Sequence, residues 1–167
     1  TAYHEGGHAL VSLLTPGSHP IHKATIVPRA QAGGMVVNLP EADSENYTYR
    51  ELCAKLDVMM GGRAAEEIIF GKDKVTTGAY SDIKGATDIA RRMIKEFGMS
   101  PLGLINLETD WKHKEFPSEE MEKLIDEQVN IFLQNAYKNA RTIIQNNEKT
   151  LHEIAESLLK YETLTGD

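Results

Sequence analysis

The chain has 167 residues with Lys+Arg 18 against Asp+Glu 25, a net charge of −7 that offers no basic footprint for nucleic acid or an anionic membrane surface. Its length suits one domain with its own core, and 41% hydrophobic with 26% charged residues is ordinary globular composition. No apolar run approaches a membrane span, no signal sequence opens the chain, and the single Cys53, expected as a buried small hydrophobe, excludes a disulfide framework and a cysteine-rich zinc site.

The first expected helix, about Ala2 to Leu14, stops at Thr15-Pro16-Gly17 and carries His4-Glu5-Gly6-Gly7-His8. Histidines at i and i+4 lie one turn apart on one helix face, so their ring nitrogens can converge on one metal ion with Glu5 beside it. Two neutral imidazoles suit Zn²⁺, leave at least one ligand to come from elsewhere, and leave a position for a water whose pKa the ion lowers to about 7. Glu5 is then the base that takes the water's proton. Gly6 and Gly7 each cost a helix about 1 kcal/mol relative to alanine, which implies close packing or a substrate passing nearby. A natural protein rarely opens four residues before a catalytic histidine, so a substantial upstream part is expected.

His22 to Pro28 and Gly34 to Pro40 are short β-branched runs bounded by Pro and Gly, read as strands joined in a hairpin through 29–33. They form a small sheet over the helix, or one of them is an exposed edge that takes up an extended peptide by backbone hydrogen bonds. After the polar loop 41–46, a second helix runs from about Thr48 to Phe70 with Leu52, Leu56, Met59, Met60, Ala64 and Ile68 at core spacing. Gly61-Gly62 at its middle implies close contact with another element.

A third helix, about Ala79 to Phe97, is closed by Gly98. Asp82 shares a face with Ala86, Ile89, Ala90 and Met93, whereas Asp88 lines up with Lys84, Arg91, Arg92 and Lys95 and reads as solvated. A carboxylate at the head of a buried stripe needs a partner, and a metal is one adequate partner. Capping of the helix start is the other reading of Asp82. Glu66 and Glu67 are further candidates for the third ligand, with hydrogen bonding to His4 or His8 as their alternative role.

Leu104 to Leu107 reads as a third strand, and Glu108 to Phe116, with Trp111 and His113, as a mobile surface loop. His19, His22, His113 and His152 lack a second histidine at ligand spacing. A long helix starts at Ser118 as N-cap, with Met121, Ile125, Val129, Phe132, Ala136, Ala140 and Ile143 as its seam. Asn146-Asn147 breaks it, and a last helix from about Glu148 to Tyr161 completes an antiparallel helical hairpin. A metzincin would need a glycine and a third histidine where Val11 and Leu14 stand, and no phosphate loop, Gly-x-Ser-x-Gly elbow or CxxC occurs.

His4-Glu-Gly-Gly-His8, Gly61-Gly-Arg-Ala-Ala-Glu-Glu67, Val75-Thr-Thr-Gly-Ala79 with Ser81-Asp82-Ile83, Ala86 to Arg91, Gly98-Met-Ser100 and Glu162 to Gly166 occur in one order along nearly the whole chain. In these motifs the chain resembles the peptidase domain of FtsH-type ATP-dependent zinc metalloproteases. The resemblance implies a mainly α, helical zincin-like peptidase domain over 1–167, with a small β-sheet or hairpin and a C-terminal helical hairpin. Its catalytic part with the metal ligands would span 1–100, and 101–167 would hold the strand, the loop and the hairpin. One Zn²⁺ would sit on His4, His8 and Asp82, with Glu5 as catalytic residue and Gly34, Met35, Val36 and Val37 as the substrate-binding edge strand. It also implies an upstream AAA+ ATPase and membrane anchor, with ATP used there and not bound here. A homo-hexamer or hetero-hexamer, unfolded protein or peptide substrates, and a role in membrane protein quality control complete the expectation.

Gly6, with His22 to Arg29 and Leu56 to Gly62, is similar to the mitochondrial i-AAA branch of the inner membrane, facing the intermembrane space; a bacterial or plastid membrane is the alternative. Departures from the family pattern are Ala30 after the Pro-Arg pair, Tyr80 for a small residue, and a short stretch between Met99 and Ser118. Two other functions fit the ligand set: a catalytically silent, zinc-stabilised oligomerisation or interaction domain, and a 2-His-1-carboxylate iron oxygenase. Glu5 has no obvious role in the second.

Overall fold

The motif helix α1 spans Ala2–Leu14, and every residue from His4 to Ser12 is buried. A helix covered on all faces sits at the centre of its fold rather than on its surface. The computed structural model of the chain describes residues 1–27, 35–38, 46–107 and 117–166, with backbone alone at His22 and 35–38. Around α1 lie β1 (Ile21–Thr25), β2 (Met35–Asn38), α2 (Tyr49–Phe70), α3 (Tyr80–Lys95), α4 (Glu119–Gln145), α5 (Glu148–Tyr161) and β3 (Thr163–Thr165). The mainly α class is as the sequence indicates.

The paired glycines explain how α1 is enclosed. A Cβ on Gly7 would run into the Gly61 carbonyl and come within 2.7 Å of the Ala65 Cβ, and one on Gly61 would come within 2.7 Å of the Gly7 carbonyl. The backbones of α1 and α2 therefore meet directly, at the cost in helix propensity that glycine carries. Gly6 faces the other way, toward Leu151 and Ile154 of α5. Packing thus accounts for both glycines.

Helix α2 starts at Thr48, whose hydroxyl accepts the Glu51 amide at 3.1 Å, and stops at Gly71, where φ is 84°. Its Leu52, Leu56, Met60 and Ala64 join Leu10, Val11, Ala86, Ala90, Met93, Ile125, Ile144 and Leu151 in one core. Each fully buried leucine or isoleucine there contributes about 1.5–3 kcal/mol by leaving water. Ser118 caps α4 by accepting the Met121 amide at 3.1 Å, and the chain turns at Asn146 and Asn147. The two last helices then take different main partners: α4 lies along α2 and α3, and α5 lies along α1.

The sheet has the order β2-β1-β3, antiparallel throughout. Met35, Val36 and Val37 of β2 pair with Thr25, Ala24 and Lys23, and the register shifts between Ile21 and Lys23. The strand expected at Leu104–Leu107 does not form. Leu104 is 95% exposed, and the Leu107 amide instead donates to the Lys95 carbonyl at 2.6 Å, closing the end of α3. The third strand is Thr163–Thr165, where the Thr25 and Thr163 hydroxyls lie 2.7 Å apart. β1 ends at Thr25, short of Pro28, α3 ends at Lys95, and Cys53 is half-buried rather than buried. Gly34, the turn 29–33, the polar loop over 41–45 and the loop with Trp111 and His113 lie outside the described residues.

Candidate metal centre

Two elements deliver the side chains that the spacing singles out. α1 presents His4 and His8 one turn apart, and α3 brings Asp82 across from its first turn. Asp82 Oδ2 lies 2.9 Å from His4 Nε2 and 3.0 Å from His8 Nε2, and the two Nε2 atoms are 3.1 Å apart. Among the described residues this is the one group of three such side chains able to share an ion.

What lies behind the rings decides what the triangle can hold. The Val58 carbonyl accepts a hydrogen bond from His8 Nδ1 at 2.6 Å, and Glu66 Oε1 lies 3.3 Å from His4 Nδ1. Both acceptors fix the proton on Nδ1, so each neutral ring turns a lone pair on Nε2 toward an acceptor-only carboxylate. Three lone pairs facing one point require a cation or an extra proton between them. Edges of 2.9 to 3.1 Å are close to the roughly 3.3 Å separation of ligands held about 2.0–2.1 Å from a tetrahedral Zn²⁺. The residues fit the metal in atom type, spacing and supporting hydrogen bonds.

The ionisation directions express the same demand. At Asp82 burial favours the neutral acid, but with a further proton on the rings its hydrogen bonds with His4 and His8 outweigh burial and hold the carboxyl well below the usual carboxylate range. At His8 burial disfavours the charged ring, yet the hydrogen bond and charge of Asp82 raise its pKa overall. Glu5, 6% exposed, is pushed up by burial, partly countered by His8 and His4. A carboxylate that holds its proton more tightly than usual is suited to accept one during a reaction.

The competing assignments separate cleanly. The residue capping α3 is Ala79, without a side-chain cap bond, while Asp82 is turned to the histidines. Glu66 sits on the Nδ1 side of His4, away from the triangle, and Glu67 pairs with Arg141 at 3.6 Å. Asp88 is exposed, and His152 accepts or donates across 2.7 Å to the Tyr3 hydroxyl. Met35, Val36 and Val37 lie on a strand at the end of the sheet order, beside α1. Sequence reasoning missed the Val58 carbonyl, which no side-chain pattern announces. It also missed Thr76, whose hydroxyl donates to Glu66 Oε1 at 3.1 Å; Thr76-Thr-Gly just before a helix is the signal that could have found it. Gly62 leaves room for the His4 ring, since a Cβ there would stand 2.5 Å from His4 Nε2.

A buried His-Glu-x-x-His helix faced by a carboxylate from a second helix has the framework of a metallopeptidase centre. The chain matches the model of Peptidase family M41 over residues 1–167, and it belongs to that family. It is 49% identical over 168 residues to "ATP-dependent zinc metalloprotease FTSH 11, chloroplastic/mitochondrial" of Arabidopsis thaliana, covering 100% of this chain and 20% of that protein. It is 51% identical to "ATP-dependent zinc metalloprotease FtsH" of Neorickettsia risticii, covering 99% and 26%. With "ATP-dependent zinc metalloprotease YME1 homolog" of Caenorhabditis elegans the identity is 47%, covering 100% and 24%. The chain thus spans about a fifth to a quarter of the length of these relatives.

Proposed function

We propose that the chain is the zinc-dependent endopeptidase part of an ATP-dependent protease, with His4, His8 and Asp82 as metal ligands and Glu5 as the catalytic residue. The observation that carries this is the convergence of two imidazole Nε2 atoms and one carboxylate oxygen within about 3 Å of one another, with Glu5 buried on the same helix. Bound there, Zn²⁺ supplies Lewis-acid polarisation of the scissile carbonyl and of the attacking water. Glu66 and the Val58 carbonyl hold the two rings with Nε2 inward. Glu5 accepts the proton of the attacking water and returns it to the leaving amine.

The reading extends to substrate capture. Gly34, Met35, Val36 and Val37 are proposed to take an extended peptide by strand addition, supported by the terminal place of β2 in the sheet order and its position beside α1. Backbone hydrogen bonding recognises unfolded chain more than any particular side chain. Unfolded or misassembled proteins are the substrates this implies, in keeping with membrane protein quality control.

The whole protein is proposed to couple this domain, 1–167, to an upstream AAA+ ATPase with a membrane anchor and to assemble as a homo- or hetero-hexamer. The words "ATP-dependent" in the relatives' names, and the fraction of their length that the chain covers, support this. The mitochondrial inner membrane, on the intermembrane-space side, is the proposed location, supported by Gly6 and by the relatives named YME1 homolog. No helix among the described residues is long and apolar enough to cross a membrane.

Casein cleavage by a zinc-loaded hexameric preparation of the chain, compared with Glu5→Gln, tests the mechanism. Loss of at least about 100-fold in rate is expected, the scale of positioned acid–base catalysis. Equal rates would remove Glu5 from the mechanism, and no cleavage by either, with assembly intact, would favour a silent interaction domain.

A further inference from the structure

The segment between α2 and α3 contains a 3₁₀ turn, Thr77–Ala79, that leads directly into the helix carrying Asp82. Thr76 stands at its head and is held four ways. Its hydroxyl donates to Glu66 Oε1 at 3.1 Å and accepts the Gly78 amide at 3.1 Å. Its own amide reaches Glu66 Oε2 at 3.5 Å, and its carbonyl accepts from Arg63 Nη2 at 3.1 Å. Glu66, 7% exposed, uses the same Oε1 to face His4 Nδ1 at 3.3 Å.

One carboxylate therefore ties together a ligand on α1 and the lead-in to the helix that bears the third ligand. We propose that Thr76 is a positioning residue for the metal centre: through Glu66 it fixes the His4 ring and the start of α3 in one register, so that His4 Nε2 and Asp82 Oδ2 meet the ion together. The inference rests on the metal-site reading above, and it assigns to Thr76 no contact with metal or substrate. Removing the hydroxyl deletes the donor to Glu66 and the acceptor of the Gly78 amide in one step. Glu66 Oε1 then keeps only its contact with His4, and the lead-in to α3 stays tied to α2 only by the longer Thr76 amide contact to Glu66 and by Arg63. Loss of a partner that orients a metal ligand commonly weakens metal binding by about 10–100-fold.

The test is Zn²⁺ affinity of the 167-residue chain, measured by competition with a chromophoric chelator, for wild type, Thr76→Val, Thr76→Ala and Thr76→Ser. Thr76→Val preserves the shape of the side chain, and Thr76→Ala stands in for it if the valine variant does not fold. The expected result is a Kd raised about 10-fold or more in Thr76→Val and Thr76→Ala, with Thr76→Ser within about twofold of wild type. The absorption spectrum of the Co²⁺-loaded protein should shift in the first two variants and not in the third. Valine or alanine variants within twofold of wild type would overturn the proposal, as would a serine variant as weak as they are. If wild type itself binds no Zn²⁺, it is the metal-site reading that falls.

Discussion

Two partly buried aspartates set the ligand end of the molecule against the α2–α4 face. Asp82 of α3 meets His4 and His8 at 2.9 and 3.0 Å and stays ionised far below the usual carboxylate range, because their hydrogen bonds outweigh its burial. Asp57 of α2 is also partly removed from water, but its hydrogen-bond partner is the neutral Asn139 amide, at 3.4 Å to both oxygens, and burial pushes its pKa up to about 6. Burial acts in the same direction at both. The partner facing the carboxylate decides whether the charge survives, and a charge that survives burial marks the place where a cation can bind.

The largest effect that can break this contrast is at Asp82. Asp82→Asn keeps the shape and removes the charge, and Zn²⁺ affinity should fall by at least about 100-fold, more than the loss of an orienting partner costs. Asp88→Asn, on the exposed side of the same helix, should leave affinity within twofold, and isothermal titration of both separates them. If the two variants bind alike, Asp82 is not a ligand.

The contact that brings α1 to α2 offers the next largest effect. Gly7→Ala gains about 1 kcal/mol of helix propensity but drives a methyl into the Gly61 carbonyl and the Ala65 Cβ, an overpacking worth about 3 kcal/mol. Overpacking wins, and the urea midpoint should report a net loss of about 2 kcal/mol.

Asp57 gives the smallest and the only pH-dependent change. Its folded pKa of about 6 lies above the ordinary aspartate value of 3.8, so the native state binds the proton more tightly. The stability it contributes is full below about pH 4 and is lost as pH rises through about 6. Taken at full strength the shift is worth roughly 3 kcal/mol, and solvent screening at this partly exposed group reduces it to about 1 kcal/mol. Asp57→Asn should therefore be more stable than wild type by about that much at pH 8 and equal to it near pH 4, read by urea titration at the two pH values.

The helices were visible in the chain because they depend on neighbours in sequence. The α1 range, the Thr48 and Ser118 caps and the break at Asn146-Asn147 all follow from local capping, turn chemistry and 3.6-residue spacing. The failures are non-local. Thr163–Thr165 is too short to announce itself, and it becomes a strand only because β1, over 130 residues earlier, offers an edge. Leu104–Leu107 has the composition of a strand, but its Leu107 amide is taken by the Lys95 carbonyl at the end of α3. Helix periodicity is enough to put His4 and His8 on one face, while spacing alone leaves Asp82 open between helix cap and partner of the histidines.

Periodicity alone determined that two imidazoles and a glutamate share one region of a buried helix, since that geometry needs only the 3.6-residue turn. Tertiary structure decided the rest: that Asp82 and not Glu66 completes the triangle, that Glu66 and the Val58 carbonyl fix the ring protons outward, and that paired glycines let α2 come close enough to do so. Those choices depend on distances between helices, and a distance of 3 Å across 78 residues of chain is set by packing, not by spacing along it.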